Sequence, residues 1–183
     1  MTGTDPMLIW LNGAYGSGKT TIARRLVRSC PGAWLLDPER IGFALRRRRE
    51  VGEDFRALPA WRAQTLAAAL AAAEGGAERL AIVPMALAEP DWFDEIVGDL
   101  RRWGVRVHHF SLLATPETLR RRLRRRLDWP ASRRWALARV ECFEALRQPG
   151  FAVQIETDGR PVEAIVREIV GQLPADLAGR FRA

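Results

Sequence analysis

Lysine is nearly missing from this chain of 183 residues: of its 29 basic residues, Lys19 is the one lysine and all the others are arginine. At that position a compact ammonium on a flexible stem was kept where a planar guanidinium was used everywhere else. Cysteine is also scarce. Cys30 and Cys142 lie far apart, without metal-ligand spacing, so neither a zinc site nor a disulfide framework is expected and both read as free thiols. No apolar run approaches the roughly 18 residues of a membrane-spanning helix. Met1 to Pro6 lacks the basic and long apolar regions of a signal peptide, which points to the cytosol. No basic strand interleaved with aromatics and no reading motif accompanies the net charge of +7, so nucleic-acid binding is not expected.

What is present is an alternation of apolar strands and helical patterns. Strands are expected at Met7–Leu11, Ala33–Leu36, Leu80–Val83, Val105–Leu113 and Phe151–Glu156. Helices are expected at Thr21–Arg28, Pro38–Arg49, Pro59–Glu74, Pro90–Trp103, Pro116–Leu127, Ala131–Arg147 and Pro161–Leu173, most of them bounded by Pro or Gly. The strands are continuous apolar runs rather than alternating ones. That marks a parallel sheet covered on both faces, an α/β fold occupying 1–183 as one domain.

Gly13-Ala14-Tyr15-Gly16-Ser17-Gly18-Lys19-Thr20 fits the P-loop pattern, and a buried strand enters it while a helix leaves it. Its main-chain amides, with those at Thr20 and Thr21, would surround a triphosphate at a helix N-terminus. Lys19 would neutralise the β- and γ-phosphates and Thr20 would place its hydroxyl on Mg²⁺. Asp37 ends the second strand, on the edge where open α/β sheets bind ligands. It can orient and deprotonate a substrate hydroxyl, or instead ligate Mg²⁺; the plainer reading is a cap on the helix opened by Pro38, and a site role and the cap can coexist. The third strand, by contrast, ends without the aspartate that many ATPases and GTPases use to hold Mg²⁺ and position water, which argues against a hydrolytic motor. Glu89 and Asp91 follow in the next loop as weaker substitutes.

Leu119, Leu123 and Leu127 mark the inward stripe of the arginine-rich helix. Arg122 and Arg126 border that stripe and can reach the phosphate crevice, whereas Arg121 and Arg125 point away. A merely solvated basic face is the competing reading.

The stretches LIWLNGAYGSGKT, LLDPERIGFALR, LPAWR, IVPMAL and VRVHHFSLLATPETLRRRLRRR together resemble the bacterial tunicamycin-resistance proteins. That family is similar to nucleoside-monophosphate kinases and chloramphenicol phosphotransferase. The resemblance implies a P-loop NTPase fold with a five-stranded parallel sheet and a mobile arginine lid at about 116–147. It implies ATP with Mg²⁺, the adenine near Thr157 and Asp158, and a small-molecule partner resembling the nucleoside antibiotic tunicamycin. It places Asp37, Arg40, Phe43, Arg46, Trp61, Arg62 and Met85 on the substrate side. Phe43 and Trp61 would stack on a base or cover a lipid tail, or else be core. Phosphorylation of the drug, its ATP-dependent sequestration, and phosphorylation of another metabolite all remain open. Leu173, Leu177 and Phe181, interleaved with Arg180 and Arg182, form a weakly amphipathic tail from which peripheral membrane contact is a further expectation.

Overall fold

The computed structural model describes residues 5–47, 54–125, 130–151 and 153–182. Strand β1 (Met7–Gly13) is followed by α1 (Lys19–Ser29), β2 (Trp34–Leu35), α2 (Glu39–Arg46) and α3 (Pro59–Ala73). Next come β3 (Ala81–Pro84), the helical run α4 (Pro90–Phe93) and α5 (Asp99–Arg102) joined by a π-helical turn, and β4 (Arg106–Leu113). Then α6 (Pro116–Arg124), α7 (Pro130–Leu137), β5 (Gln154–Glu156), α8 (Val162–Gly171) and α9 (Ala175–Ala178) complete the chain.

The strands form one five-stranded sheet in the order β2-β3-β1-β4-β5. Every pairing is parallel, with Trp10 opposite Val83 on one side and His109 on the other. Alternation along β1 divides the core. Leu8 and Trp10 point to the face covered by Trp61, Ala69, Ile96 and Leu100. Met7, Ile9 and Leu11 point to the face covered by Ile22 and Leu26 of α1 and Ile165 and Ile169 of α8. Apolar burial on both faces is why the strands read as unbroken hydrophobic runs.

Helix starts follow local chemistry. The Glu39 N–H donates to Asp37 Oδ1 at 3.0 Å, so Asp37 does cap α2. Pro59 and Pro116 occupy first-turn positions, and the Thr118 N–H donates to Thr115 Oγ1 at 3.3 Å.

The helix expected over Ala131–Arg147 is instead α7 followed by a 3-10 segment, Glu141–Arg147. A continuous α-helix would set Trp135 and Phe143 about 12 Å apart along its axis. The break lets both rings meet Tyr15, at centroid distances of 5.0 and 5.7 Å. The expected strand at Phe151–Glu156 begins later, because Pro149–Phe151 forms a 3-10 turn.

The tail also departs from expectation. Leu173 and Leu177 are buried, and Phe181 packs on the same cluster as α1 and α8. Its apolar stripe is therefore spent on the protein and is not presented to a membrane. Among the described residues, no helix is long and apolar enough to cross a membrane.

Candidate functional site

Because all five strands run in one direction, the segments after their C-terminal ends meet on one edge of the sheet. There the loop from Gly13 to Lys19 leaves β1. Gly13 adopts φ 146°, and a Cβ at this position would stand 2.6 Å from Ser17 Oγ and 2.7 Å from the Leu112 carbonyl oxygen. Gly18 adopts φ 102° at the start of α1, and no atom lies within 4 Å of where its Cβ would be. The first glycine lets the loop fold back on β4; the second takes a left-handed conformation at a helix N-terminus with open space beside it. Lys19 Nζ curls over the loop and donates to the carbonyl oxygens of Gly13 at 2.7 Å and Ala14 at 2.9 Å. Ser17 Oγ is buried without a hydrogen-bond partner within the described structure. A glycine-rich turn at a helix N-terminus, an ammonium and a buried unsatisfied hydroxyl fit a triphosphate with a divalent cation.

Asn12 holds this loop in place, which the sequence alone did not reveal. It is fully buried. Its Oδ1 accepts from the N–H groups of Gly13 and Leu87, each at 2.8 Å, and its Nδ2 donates to the Leu87 carbonyl at 2.7 Å. One side chain thus ties the mouth of the loop to the segment after β3. A polar residue closing a buried apolar run was the available signal.

A cleft of about 1150 Å³ opens over the loop. Tyr15, Gly16, Ser17, Gly18, Lys19, Thr20 and Thr21 line it, as expected. Thr20 and Thr21 are exposed, while Gly13 and Ala14 lie buried beneath. Asp37 lines the cleft while capping α2, and Phe43, Arg46, Arg122 and Thr157 also face it.

Arg122 reaches the phosphate loop as its position on the helical wheel implied, with Leu119 and Leu123 buried beside it. Its Nη1 donates to the Gly16 and Ser17 carbonyls, both at 3.3 Å, and to Thr157 Oγ1 at 3.1 Å; its Nη2 donates to the Thr157 carbonyl at 2.9 Å. The guanidinium therefore bridges the loop to the end of β5. Arg126, the other arginine expected here, lies outside the described residues.

Asp158 does not line the cleft. Its Oδ2 accepts from the Thr115 N–H at 2.9 Å, which joins the end of β5 to the start of α6. Burial raises its carboxyl, but the Thr115 hydrogen bonds prevail and hold it below the usual carboxylate range.

Four residues expected on the substrate side are not brought to the cleft wall. Trp61 is fully buried in the core below α2, with Nε1 donating to the Pro38 carbonyl at 3.0 Å. Met85 is 1% exposed and packs in the same core. Arg62 pairs with Glu95, donates to the Arg56 carbonyl at 2.8 Å and lies over the Trp92 ring. Arg40 is solvent-exposed away from the lining. Packing decided the cases of Trp61 and Arg62: α3 is alanine-rich on most sides, so its sequence announces no single buried face.

In their place the cleft gains Glu39, Asp54 and Phe55. The Asp54 carboxylate grips the buried Arg56, accepting from Nε at 2.9 Å and from Nη2 at 2.6 Å. Burial works to raise the Asp54 carboxyl, but the Arg56 hydrogen bonds and charge outweigh it and hold the group low. Burial pushes the Tyr15 hydroxyl up; Arg56 opposes this, and the carboxylates of Asp54, Glu39 and Glu89 reinforce it.

Comparison with known proteins agrees with this architecture. A family model described as an AAA domain matches residues 8–148. The tunicamycin resistance protein of Deinococcus radiodurans superposes with a TM-score of 0.75 at 28% identity, over 92% of this chain and 95% of that one. A gluconokinase from Sinorhizobium meliloti 1021 superposes with a TM-score of 0.66 at 22% identity, over 95% and 94% of the two chains. A shikimate kinase from Bacteroides thetaiotaomicron gives 0.57 at 23% identity, over 90% and 97%. The likeness to these two kinases shows the fold. No curated protein matches the sequence.

Proposed function

The chain belongs to the AAA-domain family of P-loop proteins, and from that premise we propose that it transfers the γ-phosphoryl group of ATP to a hydroxyl of a tunicamycin-like nucleoside antibiotic. The observation that carries this reading is the sharing of one cleft by the Lys19-closed phosphate loop and Asp37. The likeness to the Deinococcus radiodurans tunicamycin resistance protein points to the acceptor.

In this reading the loop amides and Lys19 hold the β- and γ-phosphates. Thr20 would hold Mg²⁺, which would supply charge neutralisation at the phosphates. The acceptor oxygen attacks the γ-phosphorus as the bond to the bridging oxygen breaks, ADP departs, and Asp37 takes the hydroxyl proton. Arg122 braces the loop against Thr157, where the base would lie. The 116–147 segment acts as the lid, excluding water while the phosphoryl group moves, and Arg126 lies on it.

Mass spectrometry of tunicamycin incubated with the protein and Mg·ATP tests the proposal. The expected result is a drug heavier by one phosphoryl group, lost with Lys19→Ala. Drug retained but unmodified would instead establish ATP-dependent sequestration. Drug neither bound nor changed would point to a different metabolite.

A further inference from the structure

The cleft is divided by charge. The cations lining its nucleotide half are Lys19 and Arg24 on α1, Arg122 on α6 and Arg160 after β5. Among the described residues, its other half carries three carboxylates, Asp37, Glu39 and Asp54, together with the rings of Phe43 and Phe55. Among the described residues, Arg46 lines that half and Arg56 lies behind it. Arg46 lies at the exposed rim with its guanidinium over the Phe55 ring, 5.2 Å from the centroid. Arg56 is 2% exposed and sits behind Asp54. Its Nη1 donates to the Ala86 carbonyl at 3.0 Å, its Nη2 also lies 3.6 Å from Glu89 Oε1, and the guanidinium is 5.9 Å from the Tyr15 ring centroid.

We propose that the acceptor half of the cleft discriminates against anionic acceptors, and that Asp54 sets this selectivity by occupying Arg56. The proposal rests on the phosphotransferase reading of the same cleft. A carboxylate or phosphate group entering beside Asp37 meets like charge from Glu39 and Asp54 in a partly desolvated space. Among the described residues, the buried cation that could answer it, Arg56, is already gripped in a two-point pair. Hydroxyl groups suit the same wall, because carboxylates accept their hydrogen bonds, and the two phenyl rings suit an apolar face of the acceptor. Asp54 remains ionised at neutral pH because Arg56 holds its carboxyl low against the effect of burial.

Calorimetry on the full chain, saturated with Mg·AMP-PNP so that the phosphate loop is filled, tests this with two anionic probes, gluconate and uridine 5′-monophosphate. Wild type is expected to bind both weakly. Asp54→Asn should bind them at least about tenfold more tightly, and adding Arg56→Gln should remove that gain. A gain in affinity cannot come from loss of fold. Glu39→Gln, which leaves the Asp54–Arg56 pair in place, should gain about threefold and serves where Asp54→Asn folds poorly. Tight anion binding by wild type, absence of a gain in both single variants, or a gain that survives replacement of Arg56 overturns the proposal. Failure of the phosphotransferase reading would register separately, as absence of a phosphorylated product whatever the anion titrations show.

Discussion

The two halves of the cleft are built on different plans. The nucleotide half is local: strand, loop and helix run without interruption from Met7 to Ser29, and the parts that face a triphosphate are largely main-chain amides. The acceptor half is assembled from α2, the segment around Asp54 and the helices beneath them, and side chains alone define it. A backbone cradle constrains its own sequence tightly, because few residues allow the required φ values and one ammonium must close it. A side-chain wall constrains its sequence loosely, since neighbouring residues can exchange cleft for core through packing.

Lys19→Ala gives the most direct test of the nucleotide half and carries the largest expected effect. Loss of the ammonium should lower phosphoryl transfer by about 10³-fold or more, measured as product formed per enzyme, with the fold retained. Next comes Asp37→Asn at the boundary between the halves. The amide can still accept the Glu39 N–H that caps α2. Turnover should therefore fall by about 10²- to 10⁴-fold while AMP-PNP affinity changes little, if Asp37 removes the acceptor proton. Unchanged turnover would reduce Asp37 to a helix cap.

Trp61→Ala addresses a residue that the family resemblance placed with the substrate and the structure places in the core. Losing a fully buried indole should cost about 3–5 kcal/mol in denaturant unfolding. Trp61→Phe, which keeps the ring and removes the bond to the Pro38 carbonyl, should cost nearer about 1 kcal/mol. An acceptor KM that rises sharply with Trp61→Phe, without loss of stability, would return Trp61 to the site.

A smaller effect is expected with acid. The folded Asp54 carboxyl lies below its unfolded value of about 3.9. The stability it contributes is therefore fully present above that unfolded value and is lost as pH falls through the folded one. Unfolding free energies from pH 6 down to pH 3 should drop more steeply in wild type than in Asp54→Asn. Equal slopes would mean that the Arg56 pair contributes nothing to folding.

Most of the fold and half of the site were legible in the residues. Met7–Leu11 announced a buried strand, the glycine spacing announced the loop, and Leu119 and Leu123 oriented Arg122 toward it. Asp37 was legible because the end of a parallel strand has one place to go. Trp61 and Met85 were not, because an aromatic or a Met suits a ligand wall and a core equally well. Asp54 and Arg56 sit in a short stretch of mixed charge between two helical patterns, which says nothing of burial; that the arginine is buried with the aspartate as its counter-ion depends on Tyr15, Ala86, Trp92 and Phe143 arriving from elsewhere in the chain. The helical tail failed in the opposite sense: its apolar residues looked available because α1, part of the surface they cover, lies far away in sequence.

Phe43 offers the smallest and most discriminating comparison with Trp61. Both aromatics were assigned to the substrate by the same resemblance, yet Phe43 is 51% exposed and faces the cleft. It touches Phe55 edge to face, with centroids 6.1 Å apart. Phe43→Ala should therefore cost under about 1 kcal/mol of stability, because little surface is returned to water. Its effect should appear in the acceptor KM, raised about tenfold, more than in the KM for ATP, because in the proposed reading the ring would cover the acceptor and not the phosphates. If Phe43→Ala instead destabilised the protein as much as Trp61→Ala and left the acceptor KM alone, exposure would have failed to separate site from core. The aromatic wall of the acceptor half would then have to be rebuilt without it.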